Sequence, residues 1–287
     1  MKLHIFQIPS SIEKTRLITF AKRMLPDVPE YALREAFQKR DVKVNGQRIG
    51  IDAMIVPGAE VKIYTRELEL KQPLIPVVYE DDHVLVVNKP AGISCEKDAK
   101  GGLTLPQALH RQKPELDTEP LLCHRLDNPT EGLLVLAKSE KCQLLVQDAF
   151  RNHRIQKEYT CLVVGTPVPS HAVLEHYLIK DAKHANVRVV LYERPDAKRI
   201  ITEYTVLEKG EYARLKIHLH TGRTHQIRAH MAFVGHPLLG DDQYGDREIN
   251  KRMKARKLML CSTKLIFQLD GMLNYLNERE FCCQPSF

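Results

Sequence analysis

The sequence has 287 residues, 43% of them hydrophobic and 28% charged, with a formal net charge of +7 and a pI near 9.0. This length allows one large domain, or a large and a small one, and the composition is that of a globular protein. No apolar run approaches the roughly 20 residues of a membrane-spanning helix, which argues against an integral membrane protein. The positive charge favours a polyanionic partner.

The cysteines and the N-terminal residues bear on the cellular compartment. The 7 cysteines are scattered, and the sequence contains no Cys-x-x-Cys pair, so a reducing compartment fits them best. Residues 1–11 alternate apolar and polar side chains and lack the apolar centre of a signal peptide. We therefore expect a cytoplasmic protein.

Residues 16–64 have the pattern of a small α+β module. Apolar side chains at helical spacing predict two helices, the first of which Pro26 ends, and Asn45-Gly46 predicts a β-hairpin. The predicted elements are helices at 16–25 and 30–39, a hairpin at 42–49 and a strand at 59–64. Residues 65–76, with two prolines and mixed charge, have the composition of a linker.

The remainder of the chain is dominated by short strands with few helices. We predict a hairpin at 77–87, helices at 104–111 and 139–151, and strands at 133–137, 157–165, 173–179, 186–192, 200–207 and 212–219. Ser139 is a suitable N-cap for the second helix. We expect residues 258–269 to close the sheet and assign no element to the residues after them. Consecutive strands of this kind predict a twisted, mainly antiparallel sheet rather than βαβ units.

The most informative segment is 124–138, in which a polar loop leads directly into an apolar strand. Its first residues read His-Arg-Leu-Asp-Asn-Pro-Thr-Glu-Gly. The Arg125-x-Asp127 pair would be held rigidly near the start of this strand, which is a good position for reactive groups. An ordinary loop with a surface ion pair explains these residues equally well when they are considered alone.

Two shorter motifs have simple structural interpretations. In Asn88-Lys89-Pro90-Ala91-Gly92, the proline and glycine can shape a turn, and we expect Lys89 to be solvated rather than bound to a phosphate. In the strand at 157–165, Tyr159 follows Lys157 by two residues, and core packing alone would explain a tyrosine there.

A third motif spans residues 221–230 and continues through Gly235 to Gly245. Thr224 is placed to cap a helix that carries Arg228 one turn later. A rival interpretation makes His220, His225 and His230 metal ligands with the neighbouring aspartates. Spacing by five residues turns successive histidines about 140° apart on a helix, so one face cannot hold all three, and the pattern matches no zinc signature.

Together, these motifs resemble those of the RluA-type pseudouridine synthases and occur in the same order along the chain. The matching segments are 88–92, 124–132, 157–159, 221–230 and 240–245. The resemblance implies that Asp127 is the nucleophile, Arg228 its ion-pair partner, and Tyr159 a residue that stacks on uracil and helps to remove the C5 proton. It implies that Arg125 helps to extract the target base. An aspartate is already ionised at neutral pH and needs no separate base, and the isomerisation needs no metal or cofactor.

The module at 16–64 resembles the S4 RNA-binding domain. Its basic residues gather where such a module binds RNA, and they could follow a phosphate backbone, although a solvated surface explains them as well. These residues are Arg34, Lys39, Arg40, Lys43 and Arg48. We accordingly divide the chain into an S4-like module at 1–70, a linker at 71–76 and a catalytic domain at 77–287.

The sequence departs from the family pattern at two places. Glu131 occupies the position of a usual serine, and we predict that its carboxylate points away from Asp127, since a nearby carboxylate would slow the reaction. Leu260-Cys261-Ser262 replaces an expected Leu-His-Ala pattern, which puts the packing beneath the uracil in doubt but not the chemistry.

The sequence thus predicts an α+β protein: a catalytic domain of the pseudouridine synthase fold, with a mixed, mainly antiparallel sheet, behind a small S4-like α+β domain. We expect a monomeric, cytoplasmic enzyme without metal or cofactor that isomerises uridines in RNA, with large-subunit ribosomal RNA as the favoured target. The alternatives are a transfer RNA pseudouridine synthase, a non-catalytic RNA-binding or ribosome-assembly factor, and, more distantly, a metal-dependent hydrolase.

Overall fold

A computed structural model describes residues 2–12, 15–25, 28, 30–65, 74–97, 102–180 and 186–287. The chain forms two compact units, one within Met1–Pro73 and Glu96–Thr104, the other within Leu74–Cys95 and Leu105–Phe287. Residues 71–73 of the predicted linker at 71–76, and the residue Pro26 that was predicted to end the first helix, lie outside the described residues. Within the described part of the chain, every helix falls short of the length and apolar content needed to cross a bilayer.

The first unit has the predicted helices, hairpin and strand, together with one strand that was not predicted. Its elements are β1 (Lys2–Gln7), α1 (Leu17–Met24), α2 (Glu30–Gln38), β2 (Val42–Val44), β3 (Gln47–Ile49) and β4 (Glu60–Thr65). The sheet order is β1-β4-β2-β3, with antiparallel neighbours throughout. Asn45 and Gly46 have φ angles of 46° and 84°, the left-handed backbone of a tight hairpin turn.

The second unit contains a large sheet with helices on both faces. Its strands are β5 (Val77–Glu80), β6 (Val84–Lys89), β7 (Leu121–Leu122), β8 (Glu131–Ala137), β9 (Ile155–Val164), β10 (His171–Lys180), β11 (Val187–Val190), β12 (Ala197–Glu208), β13 (Tyr212–Leu219), β14 (Leu260–Phe267) and β15 (Glu280–Cys282). Its helices are α3 (Leu105–Gln112), α4 (Glu140–Arg151), α5 (Gln226–Phe233) and α6 (Arg247–Arg252), and a 3₁₀ turn spans Gly271–Leu276.

The sheet order is β11-β10-β12-β13-β9-β14-β8-β6-β5, with β7 beside β8 and β15 beside β14. Strands β8 and β14 are parallel, whereas the other neighbouring pairs are antiparallel. The predicted α+β class with a mixed, mainly antiparallel sheet is therefore confirmed. The expectation that residues 258–269 close the sheet was wrong, because β14 lies at its centre and joins β9 to β8.

Strand β8 is buried on both faces, as its continuous apolar run predicts. Leu134 and Leu136 pack into one core with α3, and Leu133 and Val135 pack into a second core with α4. Ser139 caps α4 as predicted, its hydroxyl accepting a hydrogen bond from the Cys142 N–H. This packing fixes the loop that precedes β8 and carries Asp127.

Candidate active site

The loop before β8, the start of β9 and the turn between β13 and α5 surround a small cavity of about 130 Å³ in the second unit. We call it the Asp127 cavity. Its lining includes Arg125, Asp127, Tyr159, His225, Arg228 and Leu260. The structure thus brings together the four residues of the second unit that the motifs single out, although Arg125 and Arg228 are far apart in the chain.

Arg228 contacts three carboxylates of different exposure, of which Asp242, 3.5 Å away, is 91% exposed. Its Nη1 is 3.5 Å from Asp127 Oδ2, whereas its Nε and Nη2 each donate a 2.8 Å hydrogen bond to Asp241. The side chains of Arg228 and Asp241 are 3% and 0% exposed, and that of Asp127 is 19% exposed. The predicted pairing of Asp127 with Arg228 is therefore a looser contact, and Asp241 is the buried partner that sets the direction of the guanidinium.

Asp241 is held by its own neighbours as well. Its Oδ1 accepts hydrogen bonds from the backbone N–H groups of Gln243 and Tyr244, at 2.9 and 3.0 Å. Burial on its own would raise the pKa of Asp241, but Arg228 and these N–H groups outweigh burial and hold the pKa below its usual range. The motif Gly-Asp-x-x-Tyr-Gly therefore acts through Arg228, a role that sequence reasoning had not assigned.

His225, rather than Thr224, is the N-cap of the helix that carries Arg228. His225 has a left-handed backbone with φ of 53°, and no side-chain cap bond forms, so the predicted Thr224 cap was wrong. Its ring is held instead by a 2.9 Å hydrogen bond between Nδ1 and the Tyr244 hydroxyl, which leaves Nε2 3.9 Å from Asp127 Oδ2. Burial lowers the pKa of His225, which opposes a second positive charge beside Arg228.

Tyr159 forms a wall of the cavity and is 6% exposed. Burial, followed by the negative charge of Asp127, raises the pKa of its phenol. The ring is therefore neutral at physiological pH. A neutral ring is a better apolar stacking surface than a tyrosinate would be.

Thr130 is a cavity residue that the sequence had not singled out. It is 2% exposed, and its hydroxyl has no hydrogen-bond partner among the described residues. A buried hydroxyl without a partner is costly unless a ligand supplies one. Thr130 lines the cavity, but its hydroxyl oxygen is itself buried beneath the cavity surface.

Lys89 is completely buried, so the expectation of a solvated lysine was wrong. Its Nζ donates to the backbone carbonyls of Pro90, Ile93 and Asn128 at 3.0, 3.0 and 3.1 Å. Burial lowers its pKa to about 8, although the nearby negative charges act in the opposite direction. Lys89 thereby fastens the loop that carries Asp127 to the turn after β6.

The close approach of β8 and β14 explains the glycine after Glu131. Gly132 has φ of 113°, and a Cβ there would lie 2.4 Å from the backbone of Ser262, so no other residue fits without a shift.

Glu131 accepts hydrogen bonds from the N–H and hydroxyl of Ser286 at 2.7 and 2.8 Å. Its carboxylate is thus bound by the C-terminal residues, which is consistent with the predicted direction away from Asp127.

The three histidines of the rival metal interpretation belong to separate hydrogen-bond networks. The partner of His220 is Glu203, that of His225 is Tyr244, and His230 contacts His176 and Thr202. Among the described residues, no group of three or more His, Cys, Asp or Glu side chains is arranged to hold a metal ion.

The basic residues predicted to contact RNA lie at the protein surface for the most part. Arg125 is exposed at the cavity, and in the first unit Arg34, Lys39, Arg40 and Arg48 are exposed while Lys43 is partly buried. Lys39 forms an ion pair with Glu35, and the Lys43 ammonium lies 5.7 Å from the centre of the Tyr64 ring.

Comparison with known proteins gives consistent results. The family model described as RNA pseudouridylate synthase matches residues 83–233. A protein of Vibrio vulnificus named ribosomal large subunit pseudouridine synthase C is 33% identical over 264 residues, which cover 87% of this chain and 82% of that protein. Its namesake in Escherichia coli K12 is 31% identical over 252 residues, 83% of this chain and 78% of that one.

Two solved human structures have the same fold. RNA pseudouridylate synthase domain containing 1 superimposes with a TM-score of 0.64 at 24% identity, covering 76% of this chain and 86% of that one. Domain containing 4 gives a TM-score of 0.60 at 25% identity, covering 73% and 88%. The matched family model and the identity to the two bacterial relatives show that the chain belongs to the RNA pseudouridylate synthase family.

Proposed function

We propose that this enzyme converts uridines of large-subunit ribosomal RNA to pseudouridine, with Asp127 as the nucleophile. The names of the relatives in Vibrio vulnificus and Escherichia coli support the choice of RNA. The observation that carries the role of Asp127 is its position. It is a partly exposed carboxylate 3.5 Å from a guanidinium that a second, buried carboxylate already holds in place.

The reaction requires the glycosidic bond between N1 and C1′ to break and a bond between C5 and C1′ to form. Asp127 forms a transient covalent bond, either to C1′ of the ribose or to C6 of the uracil, and is released at the end. The proton lost from C5 is balanced by the proton gained at N1, so the product is an isomer of the substrate. Because pairing and stacking hide these atoms, the uridine must first leave its helix.

The other cavity residues are assigned by their positions. The ring of Tyr159 stacks on the uracil, and its hydroxyl helps to remove the C5 proton late in the reaction. Arg125, exposed at the cavity mouth, helps to extract the base and occupies the space it leaves.

We assign the first unit as an S4-like module at 1–70 that contacts RNA phosphates, with a linker at 71–76 and the catalytic domain at 77–287. The exposure of Arg34, Lys39, Arg40 and Arg48 supports this role. Phosphate contacts of this kind give affinity that falls steeply with salt and little base discrimination. We further propose that the enzyme acts as a cytoplasmic monomer and needs no metal or cofactor, so chelators should not reduce its activity.

Mapping pseudouridines at nucleotide resolution, with and without the gene, tests this function. Loss of specific sites in large-subunit ribosomal RNA, restored by the wild-type gene but not by a gene encoding Asp127→Asn, is the expected result. Loss confined to transfer RNA would overturn the choice of target. An unchanged pattern in both RNAs would favour a non-catalytic RNA-binding or assembly factor.

A further inference from the structure

A second, larger cavity of about 840 Å³ opens beside the Asp127 cavity in the second unit. We call it the basic cavity. The end of α4 and the start of β9 form one side of it, and the end of β13 with the following turn forms the other. Arg125, Lys157, Leu219, Gly222 and Arg223 line both cavities, so the two share a wall.

The described residues that line the basic cavity include many cations and neither aspartate nor glutamate. The cations are Arg125, Arg151, Lys157 and Arg223, and the histidines are His124, His153, His218 and His220. Such a concentration of one sign of charge in a concave surface attracts an anionic ligand and repels a cationic one.

Three of these cations have no acidic partner among the described residues. Arg151 and Arg223 are exposed, and within the described part of the chain no carboxylate lies at ion-pair distance from either of them or from Lys157. The Lys157 ammonium lies 5.4 Å from the centre of the Phe150 ring and 3.1 Å from where a Gly222 Cβ would be. It therefore stands in the wall between the cavities, where burial lowers its pKa. A phosphate bound there would supply the missing counter-charge.

We propose that the basic cavity binds the phosphates and riboses of the RNA nucleotides that adjoin the target uridine. The inference rests on the proposed function, because it places the strand that carries the uridine in the Asp127 cavity. A strand that delivers one base to that cavity has to pass the shared wall, where Lys157 and Arg223 meet its phosphates. Arg151, which lines only the basic cavity, contacts a phosphate further along the strand.

The proposal is tested by measuring the binding of a fluorescein-labelled ten-nucleotide oligouridylate by fluorescence anisotropy at several salt concentrations. Arg151→Gln and Arg223→Gln should each weaken binding several-fold at 100 mM salt, and each should reduce the slope of log K against log salt by about 0.7. The matched control is Lys209→Gln, an exposed lysine before β13, at the opposite end of that strand from the basic cavity. It should bind as the wild type does.

A second measurement locates the strand directly. RNA carrying 4-thiouridine next to the target uridine should photocrosslink within residues 150–157 or 218–223. Unchanged affinity and salt slope in both arginine variants, or crosslinks confined to other segments, would overturn the proposal. If wild-type protein binds the oligonucleotide through these arginines but modifies no ribosomal uridine, the proposed function fails while the basic cavity remains an RNA site.

Discussion

The Asp127 cavity and the basic cavity share a wall but use positive charge in opposite ways. In the first, the Arg228 side chain is 3% exposed and doubly hydrogen-bonded to Asp241. In the second, Arg151, and Arg223 of the shared wall, are exposed and have no carboxylate partner among the described residues. A guanidinium that is already paired and buried keeps its direction during a reaction, whereas an unpaired one is free to bind a ligand. Changes at the first cavity should therefore alter rate and stability, and changes at the second should alter affinity.

The largest effect is expected at Asp127. Asp127→Asn removes the proposed nucleophile, so the single-turnover rate of pseudouridine formation should fall by about a thousand-fold or more, while RNA binding stays within a few-fold. The matched control is Asp242→Asn. Asp242 is an aspartate 3.5 Å from the same guanidinium but 91% exposed, so its loss should leave the rate nearly unchanged. A single-turnover rate for Asp127→Asn within about ten-fold of the wild-type rate would contradict the mechanism.

Asp241→Asn tests whether the buried pair fixes Arg228. It leaves a guanidinium that is 3% exposed without its counter-charge, and breaking such a pair typically lowers the free energy of unfolding by about 3–5 kcal/mol. Urea unfolding measures this loss, and Asp242→Asn should change stability by no more than about 0.5 kcal/mol. Equal stability of the two variants would show that Asp241 does not fix the guanidinium.

Lys89→Met tests the fastening of the Asp127 loop. Three carbonyls lose their donor, so we expect the free energy of unfolding at pH 7 to fall by about 2 kcal/mol. Since the folded pKa of Lys89 is about 8 and its ordinary value is 10.5, the unfolded chain holds the extra proton between these values. The free energy of unfolding of the wild type should therefore rise with pH across this window relative to that of Lys89→Met. If the two free energies changed with pH in parallel, the lowered pKa of Lys89 would be contradicted.

The smallest effect is expected in the first unit. Arg40→Gln and Arg48→Gln should each weaken binding of ribosomal RNA by a few-fold and reduce its salt dependence, without changing the rate at saturating RNA. Arg23→Gln, which removes an exposed cation from α1, serves as the control. If all three variants bind alike, the basic residues of this unit do not contact RNA.

Much of the fold follows from local pattern in the sequence. The Asn45-Gly46 hairpin, the Ser139 cap and the buried run of β8 are each determined by neighbouring residues, and the structure has all three. Strand β14 was misplaced because a central and a closing strand have the same apolar composition. Strand β15 escaped prediction because its three residues are too few to show a period.

The site divides in the same way. The motifs indicated Asp127, Tyr159 and Arg228 as a set, and they line one cavity. The sequence could not predict that Asp241, rather than the adjacent Asp242, is the buried partner of Arg228. The two aspartates differ in exposure, and exposure is set by the tertiary structure. Lys89 was misjudged for a related reason: a lysine in a turn is normally solvated, and only the tertiary structure brings three carbonyls to its ammonium.

The position of β14 has a consequence for the order in which the enzyme matures. Strand β8, which follows Asp127, and strand β9, which carries Tyr159, are neighbours only through β14. A ribosome-bound chain that has not yet synthesised residues 260–267 therefore has Asp127 and Tyr159 but lacks the strand that pairs with both β8 and β9. We expect nascent chains to be inactive until that strand emerges from the ribosome.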